Sequence, residues 1–116
     1  MSPTLLRLHT VHGPFALPSS AAHGVTAFHE AVDDYDLGRA LEAARGFMRA
    51  ASLFIAERAE YGEALEKQAS IAYENAALAF ELAGARDEGA KALAHARVRD
   101  DANGALLDAL AARLAA

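Results

Sequence analysis

Residues 73–89 read Tyr73-Glu74-Asn75-Ala76-Ala77-Leu78-Ala79-Phe80-Glu81-Leu82-Ala83-Gly84-Ala85-Arg86-Asp87-Glu88-Gly89, and this stretch decides the fold class. Between Ala76 and Ala83 the single polar residue is Glu81. Alanine and leucine favour helix, and a helix apolar nearly all round is an enclosed one. Gly84 is a natural C-terminal stop, while Asp87 and Glu88 suit the positive end of the next helix. The stretch therefore predicts a helical hairpin whose first arm is buried.

Upstream, Leu37, Leu41, Ala44, Met48, Ala51 and Ile55 recur at intervals of four and three, which places them on one helical stripe. A second stripe, Ala40, Ala43, Phe47, Ala50 and Phe54, lies beside it, so this helix has a broad apolar face and two neighbours. It should start near Asp36 and end at a turn around Glu60-Tyr61-Gly62. A shorter helix should precede it, from Ala21 to Val32, stopping at the acidic Asp33-Asp34. Downstream, a helix from about Asp87 to Val98 leads to the loop Asp100-Asp101-Ala102-Asn103-Gly104, and a last helix presents Leu106, Leu107, Leu110 and Leu114 on one side.

All three prolines, Pro3, Pro14 and Pro18, fall in the first 18 residues, so residues 1–20 read as an extended or flexible arm and 21–116 as one helical domain. From residue 33 onward the only β-branched aliphatics are Ile55, Ile71 and Val98, whereas most of the 31 alanines lie there; strands are not expected. The fold class is all-α, a stack of about five helices in antiparallel hairpins. A chain of 116 residues supports a single core.

With no cysteine, thiolate metal sites and cysteine nucleophiles are excluded. A net charge of −5 and the lack of a Lys/Arg run argue against nucleic acid as a partner. Charges interrupt every apolar segment after residue 30, so no membrane span is expected, and the start of the chain lacks the pattern of a signal peptide. A cytoplasmic protein is the expectation.

Three helix entrances look alike, at Asp34-Tyr35-Asp36-Leu37-Gly38, Glu60-Tyr61-Gly62-Glu63-Ala64 and Ala85-Arg86-Asp87-Glu88-Gly89, about 25 residues apart. The last two helices of that series resemble a tetratricopeptide repeat (TPR). Tyr73 and Phe80 stand at its aromatic positions, Ala76 and Ala77 replace its leucine and glycine, Gly89 takes the place of the small residue at the helix crossing, and Leu93 that of a phenylalanine. The match covers Tyr73 to Asp101. Asp101 occupies the position of the family's closing proline, and the preceding helices are longer than a regular repeat uses.

The resemblance implies a groove lined by the first helix of the pair, which would expose Ile71, Glu74, Asn75, Leu78 and Leu82 to a partner protein or peptide. The arm or first helix of the same chain is an equal contender for that groove. The expected function is a non-enzymatic adaptor or scaffold for protein–protein interaction, with a homo-oligomer formed through the Leu106, Leu107, Leu110 and Leu114 face as the alternative. Neither a cofactor nor a catalytic residue is expected: no hydrolase elbow, phosphate loop or zinc-protease motif occurs. Glu57, Glu60, Glu63 and Glu66 surround a turn and read as a solvated charge cluster. Ser52 and Ser70, mid-helix among apolar residues, should bond back to the preceding turn. Four of the five histidines are early, His9, His12, His23 and His29, and a His-x-x-His pair with Glu30 and the Asp33, Asp34 and Asp36 cluster could bind a divalent metal; solvated histidines are the plainer reading.

Overall fold

A computed structural model describes residues 22–61, 63–99 and 104–115, with side chains described at 23–57, 68–98 and 107–115. The expected arm, 1–20, lies outside the described residues. Every described element is a helix: α1 (Ala22–Asp36), α2 (Ala40–Tyr61), α3 (Glu63–Leu82), α4 (Arg86–Arg99) and α5 (Gly104–Ala115). Each packs chiefly on its neighbours in sequence, and α5 also touches α3. This is the all-α stack of helical hairpins that the alanine pattern calls for.

Two boundaries differ from expectation. α1 runs through the acidic Asp33-Asp34 to Asp36, and α2 begins at Ala40 rather than near Asp36. The break falls where the backbone can turn, at Gly38 with φ +79°. There the Gly38 N–H donates to the Tyr35 carbonyl and the Arg39 N–H to the Asp34 carbonyl, the paired bonds that close a helix on a left-handed glycine. α3 ends in the same manner at Gly84, φ +80°, with Gly84 N–H on Glu81 and Ala85 N–H on Phe80. Leu37, expected on the core stripe of α2, therefore sits in the turn and is 68% exposed.

The core is built from small residues punctuated by rings. On α2 the buried positions are Ala43, Ala44, Phe47, Ala50, Ala51 and Phe54, while Leu41, Met48 and Ile55 are half-buried. The second of the two predicted stripes is thus the deeper one. Phe47 meets Phe28 of α1 edge-on, ring centroids 5.0 Å apart, a favourable aromatic geometry. The α1–α2 crossing is close, since a Cβ on Gly46 would lie 2.9 Å from the Ala31 Cβ.

α5 closes the far end. Leu107, Leu110 and Leu114 are all buried within the chain. Among the described residues, the leucine face expected to meet a second copy is thus spent on the chain's own core, because a short helix with one apolar side must cover it somewhere. The side chain of Leu106 lies outside the described set.

Candidate partner-binding face on the central helix

α3 is the hub of the stack, with α2 along one side and α4 along another. Every residue from Gln68 to Phe80 is buried, four polar side chains included: Gln68, Ser70, Glu74 and Asn75. The side toward α4 is well defined. Ser70 Oγ donates to the Ala96 carbonyl at 3.1 Å, Tyr73 stacks on His95 at 5.0 Å, and Gly89 sits against the Ala77 carbonyl and the Phe80 Cβ. Sequence reasoning expected Ser70 to bond within its own helix; it reaches across to the next. Ser52, expected among apolar residues, is exposed.

At 3.6 residues per turn, Gln68, Asn75, Leu82, Ile71 and Leu78 fall within an arc of about 80°, with Glu74 beside it. This is the face the resemblance marks for a partner. Its expected exposure is not what the structure has: Ile71, Glu74, Asn75 and Leu78 are buried, and only Leu82, at 44%, reaches solvent. A central helix of this apolar content is enclosed on every side.

Both polar atoms of the Gln68 amide and both of the Asn75 amide have no hydrogen-bond partner among the described residues. Such groups are rare in folded proteins, since an unpaired buried donor or acceptor costs about 1–3 kcal/mol. The two residues lie seven apart, so their side chains point the same way about 10.5 Å apart along the axis. Sequence reasoning picked out Asn75 and missed Gln68; the signal was the seven-residue interval between two amides on an otherwise apolar face.

Two other surfaces were candidates. A groove of about 430 Å³ between α4 and α5 has an apolar floor of Leu93, Ala94, Ala111 and Leu114 with Arg86 and Arg97 at its rim. Arg97 is committed to Asp108 at 2.6 Å, and Asp87 also lines the groove, so its charge is balanced locally. A cleft between α1 and α2, about 260 Å³, holds Glu30 and Asp34 opposite Arg45 and Arg49 and is likewise mixed in sign.

His9 and His12 lie outside the described residues, as do the side chains of Glu60, Glu63 and Glu66. His23 is exposed, His29 is half-buried and engaged in an interaction, and no group of three metal-ligating side chains occurs among the described residues. No described helix is long and apolar enough to cross a membrane. The chain matches no protein-family model, no curated protein and no solved structure, so the tetratricopeptide resemblance rests on residues 73–101 alone.

Proposed function

We propose that the chain is a non-enzymatic interaction module, an adaptor that takes an extended segment of a partner protein along the α3 face of Ile71, Glu74, Asn75 and Leu78, a face buried in the free chain that has to open to receive it, with Leu82 at its exposed end. The observation that carries this reading is the pair of buried amides, Gln68 and Asn75, unmatched among the described residues. A primary amide offers a donor and an acceptor together, the combination a peptide backbone presents in return. Apolar neighbours at Ile71 and Leu78 supply burial, and the amides supply register.

The homo-oligomeric alternative receives no comparable support, because Leu107, Leu110 and Leu114 are inside the chain's own core. The test is selection of peptides from a displayed library against the full-length chain, followed by NMR of the side-chain amide resonances. Selected peptides should shift the Gln68 and Asn75 NH₂ signals and lose affinity in Asn75→Leu. Binders that leave both signals unmoved would place the interaction elsewhere.

A further inference from the structure

Leu82 is the exposed end of the α3 face, and beside it stands Glu81, the residue that Arg113 of α5 grips. We propose that α5 is a latch on this face: it lies along the Glu74 and Leu78 edge in the free chain, is fastened there by Arg113 on Glu81, and swings off to admit a partner. Its function rests on the adaptor reading of the face; its geometry rests on where α5 lies and on what fastens it.

The direction of α5 follows from its contacts. Gly89, early in α4, lies against Leu114, late in α5, and Arg97, late in α4, bonds Asp108, early in α5. The two helices are therefore antiparallel. So are α3 and α4, since Ser70 reaches Ala96 and Gly89 lies against the Ala77 carbonyl. Hence α5 runs parallel to α3, and the pairing of Arg113 with Glu81 brings their C-terminal ends level.

That alignment sets α5 beside the face. At about 1.5 Å per residue along both helices, Leu110 comes level with Leu78 and Leu107 with Asn75. Around α3, Glu81 stands about 20° from Glu74 and about 60° from Leu78. A helix fastened at Glu81 thus borders the face on that side. Leu107 and Leu110 are buried, as are Glu74 and Leu78.

The fastening is slight. α5 is the shortest described helix, packs chiefly on α4 and meets α3 over a short stretch. Elements held in this way open at lower cost than the whole chain unfolds. The Arg113 and Glu81 side chains are 50% and 22% exposed, and a pair so placed biases the closed state by up to about fivefold. The buried leucines of α5 keep the open state minor.

Because the chain has no cysteine, Glu81→Cys/Arg113→Cys gives a single place for a short bis-maleimide cross-link. The signals to follow are the side-chain NH₂ protons of Gln68 and Asn75, whose exchange with water requires an open face. Before cross-linking, exchange should be up to about fivefold faster than in the native chain. Arg113→Ala, which leaves every buried residue in place, should match it. The cross-link should bring exchange below the native rate, while N-ethylmaleimide on both cysteines, forming no bridge, should leave it fast. Exchange that the cross-link does not slow overturns the latch.

The tightest library peptide that shifts the Asn75 signals should gain affinity in Arg113→Ala by the same factor as exchange, since apparent affinity follows the open fraction. It should not bind the cross-linked chain. Peptides that bind cross-linked and native chains equally overturn the latch and leave the adaptor standing. Exchange governed by the cross-link on a face that no library peptide reaches does the reverse.

Discussion

Gly46 of α2 lies against Ala31 of α1 so closely that a methyl group on Gly46 would stand 2.9 Å from the Ala31 Cβ and 3.3 Å from its Cα. Neither atom can rotate away, so Gly46→Ala forces the helices apart. Alanine gains about 1 kcal/mol of helix propensity over glycine, but overpacking costs about 1–3 kcal/mol. The expected outcome is a net loss of about 1 kcal/mol and a lower Tm by thermal denaturation.

Gly89→Ala should behave in the opposite way. Its new methyl would meet the Leu114 Cδ2 at 2.8 Å, with the Ala77 carbonyl and Phe80 Cβ further off at 3.4 Å. The near atom is the end of a flexible side chain in the final helix, which can swing aside. Stability should stay level or rise by up to about 1 kcal/mol. A loss larger than that of Gly46→Ala would contradict this account of the two crossings.

Leu110 is 1% exposed. Leu110→Ala should cost about 2–5 kcal/mol by urea unfolding, through lost burial and the cavity left behind. The native mass by light scattering should be the same for both proteins. A variant of unchanged stability and halved mass would show that the leucines hold two chains together instead.

Arg113 grips Glu81 through two bonds, Nε to Oε2 at 2.8 Å and Nη2 to Oε1 at 3.1 Å, pinning α5 to the end of α3. The hydrogen bond to Glu81 raises the guanidinium pKa above its already high value, so the arginine stays charged throughout. Both partners reach solvent, and exposed pairs are worth about 0–1 kcal/mol. Arg113→Ala should speed amide exchange in α5 while shifting the overall Tm little, and the difference should shrink in high salt.

Burial, and then the neighbouring Asp36, push the Tyr35 phenol above its usual 10.0. The folded chain thus favours the neutral phenol. Its contribution to stability is whole below pH 10 and is lost as the pH climbs through the raised value. Alkaline unfolding curves should show this decline, and Tyr35→Phe should lack its share of it.

The residues that were legible in the sequence are those whose own chemistry determines their place. Ala76 to Ala83 read as enclosed because its one polar residue is Glu81; this holds through Phe80, while Leu82 and Ala83 at the helix end are exposed, and Gly84 could be read as a stop because a left-handed residue belongs there. Leu37 was misplaced because its spacing fits the α2 stripe, and periodicity does not register the preference of Gly38 next door for a turn. Ser70 was misassigned because its acceptor, Ala96, is distant in sequence. The α3 face was found but thought open: a pattern shows which side of a helix is apolar and not what comes to rest on it. Gln68 went unnoticed for the same reason, since an amide near a helix start reads as surface until its burial is known.

Packing each helix on its neighbours in sequence also governs how the chain acquires its shape. Most pairings join segments a few tens of residues apart, so little loop entropy is spent before native interactions form. Such topologies fold on the microsecond to millisecond scale. Substitutions in α1 and α5, which pack chiefly on different helices, should change the folding free energy independently of one another.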